Sequence, residues 1–252
     1  MIHPQEIIIG VISLIPLLIL FFRGKFLYFS LAAIIAICIQ GTYFFGPQIL
    51  YLLLFTYIIS TIGELICLKT PVRCFGIKYW YHPNKVYFSS GIRILNVYPI
   101  EVTFAWVILK YLSFCLATLI TQAFYLPQLL VLLLTPLILV SLDLIIDPVS
   151  VHIYKLWSWE RGSGYFGIPW QNFLGWYLYG FLATFLFGFV ARSIPVTFHP
   201  VYLLPILYYG SFLTNTPPIL KRNKTMAIFG SLPALIWTLL GVLSLLLLFF
   251  RR

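Results

Sequence analysis

The stretch Pro127-Gln-Leu-Leu-Val-Leu-Leu-Leu-Thr-Pro-Leu-Ile-Leu-Val-Ser-Leu-Asp143-Leu-Ile-Ile-Asp147 carries no charge until its last five residues, where two carboxylates stand four apart. About 20 apolar residues suffice to cross a hydrocarbon core as a helix, so this run reads as a membrane span that ends at Asp147. Seven further runs of the same character flank it, and charges, prolines and polar clusters mark all eight off as 6–22, 26–45, 48–68, 94–118, 127–147, 172–191, 199–216 and 226–250. The first has no Lys or Arg before it, so the basic start of a signal peptide is missing and it counts as a span. The seventh holds Pro200 and Pro205. The expected fold is all-α: a polytopic membrane helical bundle of about eight helices, forming one transmembrane domain over 1–252.

The composition agrees with that run. Of 252 residues, 62% are hydrophobic and 9% charged, with a mean hydropathy of +1.00. A soluble domain is about 25% charged, which excludes the soluble and disordered classes. The 16 Lys and Arg against 6 Asp and Glu give +10, yet no polar face exists to spread phosphate contacts, so no nucleic-acid partner is expected. The bases fall at span ends, where they report topology. Twelve lie in the loops after spans one, three, five and seven; Arg192, Arg251 and Arg252 lie on the other face, and Lys110 is inside the fourth span. The positive-inside rule then predicts both termini outside a plasma membrane, with the long connections 69–93 and 148–171 cytoplasmic. Cys38, Cys67, Cys74 and Cys115 have no paired short spacing, so neither a disulfide framework nor a zinc site is implied.

The two long connections concentrate the aromatic residues. Of seven tryptophans, Trp80, Trp157, Trp159, Trp170 and Trp176 lie in or beside them, and Trp106 is in the span that follows the first. An interfacial belt would ring both faces, whereas this one is lopsided. Both connections carry Phe-Gly-Ile, at 75–77 and 166–168, each after a span ending in a carboxylate. An old duplication of a helix-loop-helix unit would leave that pattern.

Acids inside hydrocarbon are costly, which makes each a candidate functional group. With the orientation above, Glu64, Glu101, Asp143 and Asp147 converge at the inner ends of spans three to five, and the two aspartates share one helix face. The plain alternative pairs each with a nearby base, Glu64 with Lys69 or Asp147 with Arg161. A carboxyl group in apolar surroundings can stay protonated near neutral pH while a neighbour with hydrogen-bond donors stays ionised, so one cluster can supply both acid and base. Aromatic faces can steady a developing cation. Acid, base and π-faces beside lipid suit protonation of an alkene, and an isoprenoid chain dissolved in the bilayer is the natural substrate.

Other motifs fail on context. Gly162-Ser-Gly164-Tyr-Phe-Gly167 matches G-x-G-x-x-G formally, but Trp157 and Trp159 precede it in place of a buried strand and Pro169 follows. His3, His82, His152 and His199 form no i, i+4 pair, which argues against a di-iron site; His82 and His152 read as satisfied or interfacial residues. Asp143-x-x-x-Asp147 also resembles the magnesium-diphosphate motif of intramembrane prenyltransferases, but Gly63-Glu64-Leu65 is the only comparable second segment and offers one carboxylate. Prenyl transfer stays as the enzymatic alternative. A small transporter is the other, although apart from Lys110 the outer halves of spans four to six hold almost no charge for a relay.

Two blocks carry a family resemblance. The first comprises Glu64, Phe75, Gly76, Tyr79, Tyr81, Pro99 and Trp106. The second comprises Asp143, Asp147, Pro148, Trp157, Trp159, Gly164, Tyr165, Phe166, Gly167, Ile168, Pro169, Asn172, Phe173, Gly175 and Trp176. Together they resemble the carotenoid biosynthesis protein family of membrane hydratases, which includes bacterioruberin-pathway and γ-carotene hydratases. In place of the family's Thr-Gly-containing approach to Phe-Gly, this chain has Lys69-Thr-Pro-Val-Arg-Cys74. The resemblance covers roughly 59–176 and implies addition of water to the terminal double bond of a linear carotenoid or related polyprenoid, without cofactor or metal. It implies Glu64, Asp143, Asp147 and Asn172 as catalytic residues. Phe75, Tyr79, Trp106, Trp157, Trp159, Tyr165 and Trp176 would line the substrate, and other pigment-pathway enzymes are conceivable partners.

Overall fold

A computed structural model describes residues 4–23, 25–73, 76–160, 164–191 and 199–251. The protein is a polytopic membrane helical bundle. In chain order the helices are α1 (Pro4–Arg23), α2 (Phe26–Phe45), α3 (Ile49–Lys69), α4 (Ile100–Ala123), α5 (Leu130–His152), α6 (Trp170–Val190), α7 (Leu203–Ser211), α8 (Thr216–Arg222) and α9 (Lys224–Phe250). Six of them, α2 to α6 and α9, are long and apolar enough to cross a membrane, while α1 is apolar over the shorter stretch Pro4–Ile19. Their outer faces leave Ile35, Phe189 and Phe229 about 60% or more exposed, a surface that only hydrocarbon would cover.

The run at 199–216 forms no single helix of span length. It is a chain of short pieces, a 3₁₀ turn Pro200–Tyr202, then α7, a second 3₁₀ turn Phe212–Asn215, and α8. Pro200, Pro205, Pro217 and Pro218 each remove a backbone donor, which limits the length of any regular piece.

Helix limits follow local chemistry. Gly46 closes α2 at φ 78°, a left-handed conformation that glycine adopts without steric cost. Pro99 and Pro169, both in extended conformation, start α4 and α6. The fourth helix therefore begins at Ile100 instead of near residue 94, because strands β2 (Arg93–Ile94) and β3 (Tyr98–Pro99) pair as a small hairpin. The fifth runs past Asp147 to His152 with Pro148 inside it. Proline frees the carbonyl four residues back, and that carbonyl, Leu144 O, accepts from the Tyr165 hydroxyl at 3.2 Å.

At the centre, α3, α4, α5 and α6 form a square in which each helix packs on two neighbours, with α4 diagonal to α6 and α3 diagonal to α5. α4 is the innermost helix of the molecule: 89% of its apolar window is buried, against 17% for α9. Close approaches depend on missing side chains. A Cβ at Gly63 of α3 would stand 2.5 Å from the Tyr179 ring of α6, and one at Gly230 of α9 would stand 2.7 Å from Leu144 O.

The two motif connections are joined by hydrogen bonds. Strands β1 (Tyr79–Tyr81) and β4 (Trp157–Trp159) pair antiparallel with Tyr79 opposite Trp159 and Tyr81 opposite Trp157. His82 N–H to Leu156 O and Glu160 N–H to Lys78 O, each 2.8 Å, extend the ladder. It ties the α3–α4 pair to the α5–α6 pair across one end of the square. Gly76 and Gly167, the central residues of the two Phe-Gly-Ile repeats, both take positive φ, at 92° and 86°.

Candidate active site

The ladder end of the square holds four buried carboxylates, Glu64, Glu101, Asp143 and Asp147, of which all but Glu101 belong to one path of contacts. Asp143 and Asp147 face the same way because one helical turn separates them. Asn172, in the first turn of α6, donates its Nδ2 hydrogens to Asp143 Oδ2 and Asp147 Oδ2, both at 2.6 Å. Trp157 Nε1 donates to Asp147 Oδ1 at 2.6 Å. Both oxygens of Asp147 are thus engaged. Asp143 Oδ1 is buried and has no hydrogen-bond partner among the described residues.

Glu64 on α3 has the opposite environment. Trp106 Nε1 donates to its Oε1 at 3.1 Å, and the Tyr79 and Tyr81 hydroxyls both donate to its Oε2, Tyr81 at 3.1 Å. Three donors on two oxygens make it the acceptor of the cluster. Burial, and then the Glu64 carboxylate, push both phenols well above their ordinary value, so they remain neutral donors.

Aromatic rings join the two halves. Trp106 stacks on Trp176 at 4.0 Å between centroids, across the α4–α6 diagonal. Tyr81 meets Trp157 edge-on at 5.7 Å, and Tyr79 lies 4.8 Å from Trp159. A continuous path of contacts therefore runs from Glu64 through Tyr81 and Trp157 to Asp147, Asn172 and Asp143. The indole N–H of Trp159 is buried and without an acceptor among the described residues.

Not every residue singled out in the sequence joins this path. Phe75 and Arg161 lie outside the described residues. Tyr165 spends its hydroxyl on Leu144 O and packs on Phe166 and Phe173. Burial and, secondarily, Asp143 raise its phenol above the usual value. Glu101 is fully buried but off this path: its Oε1 accepts from Ser90 N–H at 2.8 Å, which anchors the loop before α4, and its Oε2 has no hydrogen-bond partner among the described residues. Lys69 donates to Leu95 O at 3.1 Å. His82 bonds Ser158 Oγ and His152 bonds Phe166 O, both at 2.7 Å. Tyr81, part of the first motif block but given no role in the sequence reading, is the site residue that reading missed; the alternation Tyr79-Trp-Tyr81, which puts two rings on one strand face, is the signal for it.

Chemically, the arrangement offers a hydrogen-bonded aspartate pair with one free oxygen, a third carboxylate held by neutral donors, and flat indole surface between them. Among the described residues no group of three His, Cys, Asp or Glu side chains could hold a metal ion. No curated protein and no solved structure matches the chain. A family model described as carotenoid biosynthesis protein matches residues 25–247, the whole of the square and the helices around it apart from α1 and the last residues of α9, and the chain belongs to the carotenoid biosynthesis protein family.

Proposed function

We propose that the protein is a membrane hydratase that adds water to the terminal carbon-carbon double bond of a linear carotenoid or related polyprenoid. The observation that carries this reading is the unpartnered, buried Asp143 Oδ1 beside a fully engaged Asp147, opposite a Glu64 that only accepts. In the proposed reaction, Asp143 gives its proton to the less substituted alkene carbon. The π pair forms that C–H bond and leaves a tertiary cation facing Trp106, Trp157 and Trp176, whose π-faces stabilise positive charge. A water held at the remaining lone pair of Glu64 Oε1 bonds to the cation and passes its surplus proton to Glu64; transfer of that proton from Glu64 back to Asp143 completes the cycle. Asn172 and Trp157 keep Asp147 as the fixed neighbour that positions Asp143.

The Asn172 amide supports this chemistry over Mg²⁺-diphosphate transfer, because it presents hydrogens to both aspartates where a cation site requires acceptors. We further propose that the ladder end faces the cytoplasm and the membrane is the plasma membrane, in keeping with Lys25, Lys69, Lys78, Lys155 and Lys221 on that side. The test is expression in a cell that accumulates lycopene or bisanhydrobacterioruberin, followed by mass analysis of the pigments. The expected result is one added water per converted end group, lost in Asp143→Asn. Unchanged pigments with every linear carotenoid tried, with the protein present in the membrane, would refute it.

A further inference from the structure

One fully buried basic residue of the bundle has no place in the reaction above. Lys110 of α4 is fully buried, and its Nζ donates to Gly180 O and Thr184 Oγ1, both of α6. Thr184 Oγ1 itself donates to Gly180 O at 2.9 Å. An amine at this depth is expensive relative to an apolar side chain unless it is hydrogen-bonded. A Leu or Met would fill the same volume more cheaply, so the polar contact has to be justified by where it holds the helices.

Its place in the square is specific. α4 and α6 are diagonal, and their backbones do not run side by side. Side-chain contacts bridge this diagonal at successive levels. The Trp106–Trp176 stack, with Tyr179 edge-on to Trp106, comes first; one turn further along both helices is Lys110 on Gly180, the polar contact of the series; beyond it Phe114 meets Phe187 edge-on at 5.6 Å. Trp106 and Trp176 each stand seven residues after the proline that starts their helix, and Lys110 and Gly180 each stand four beyond those tryptophans. The same Trp106 ring that stacks on Trp176 donates to Glu64. A shift of α6 along α4 would slide one indole over the other and move the donor that orients Glu64. Apolar contacts tolerate such sliding, whereas a donor bound to one carbonyl and one hydroxyl does not.

We propose that Lys110 is a positioning residue that fixes the register of α4 against α6 and thereby sets the Trp106–Trp176 stack in the site. Its effect on turnover rests on the hydratase reading; its effect on the stack does not. The experiment compares Lys110→Met, which keeps length and loses the donors, with wild type in detergent and in cells making a linear carotenoid. The circular-dichroism exciton couplet of the paired indoles is identified as the signal lost in Trp106→Phe. In Lys110→Met the couplet is expected to collapse and turnover to fall about 10- to 100-fold with KM within about twofold, as expected for a misplacement of about an ångström. Thr184→Val, which removes one acceptor at constant shape, is expected to weaken both readouts partially, and Thr184→Ser to restore them; this pair decides the matter if Lys110→Met does not fold. A lower melting temperature with couplet and turnover unchanged would overturn the proposal, as would a collapsed couplet with wild-type turnover. If the wild-type chain hydrates no carotenoid, the hydratase reading fails and the couplet alone decides whether Lys110 sets the stack.

Discussion

Replacing Asn172 by Leu removes the donor that two aspartates share while keeping a side chain of similar size. Both oxygens lie 2.6 Å from the one Asn172 nitrogen, so they are at most about twice that distance apart. As Asp143 gives up its proton beside an ionised Asp147, two unit charges no more than about 5 Å apart come to repel by at least about 3 kcal/mol at an effective dielectric near 20, a repulsion the shared donor offsets. The two hydrogen bonds lost are each worth about 1.5–3 kcal/mol when the acceptor is charged. If only about 3 kcal/mol of this sum appears in the barrier to alkene protonation, turnover falls roughly 10²-fold. The assay is the initial rate of water addition to a linear carotenoid in membranes, normalised to inserted protein, with the tryptophan circular dichroism showing that the Glu64 side of the site is intact. A variant within about threefold of wild type would refute the shared-donor role of Asn172 and, with it, the assignment of Asp143 as the acid.

Three further outcomes are expected. Tyr81→Phe keeps the ring against Trp157 but removes one of three donors to Glu64, costing about 1.5 kcal/mol and lowering turnover about tenfold; an unchanged rate means that Glu64 does not depend on the strand for its orientation. Gly63→Val places carbon where the Tyr179 ring stands 2.5 Å from an added Cβ, so about 1–3 kcal/mol of overpacking should lower the melting temperature by several degrees, read by thermal unfolding in detergent. The Tyr79 and Tyr81 phenols are raised in the folded chain, so their contribution to stability is full below the ordinary phenol value of 10.0 and is lost as pH rises toward their folded values. An ultraviolet titration should accordingly show phenolate absorbance lagging behind that of the unfolded chain.

The membrane helices were legible because uninterrupted apolar runs have one stable solution in hydrocarbon, and the aspartate pair because a spacing of four has one meaning on a helix. Asn172 was reached through the resemblance, and its role as a donor common to both acids needed coordinates. Glu101 was grouped with the other acids on depth alone; its partner is a backbone N–H of Ser90, which leaves no trace in side-chain patterning. The β1–β4 ladder was invisible for a different reason. Two three-residue strands nearly eighty positions apart have no local periodicity to announce them, and only the fold brings Tyr81 beside Trp157. Tyr165, expected by resemblance to line the substrate, hydrogen-bonds the carbonyl that Pro148 releases, a contact visible only once the helix is known to continue through the proline.

The pairing of residues 79–81 with 157–159 also bears on how the chain is made. A polypeptide that inserts from its N-terminus has Glu64 in the bilayer long before Asp147 and Asn172 arrive, and the ladder cannot close until α5 has been threaded and residues 157–159 have followed it. Until then a nascent chain holds a buried glutamate with only the donors of its own half. Completion of the cluster is therefore a late step of biogenesis, and a ribosome stalled after the fourth helix would leave in the membrane a fragment with an acceptor and no acid.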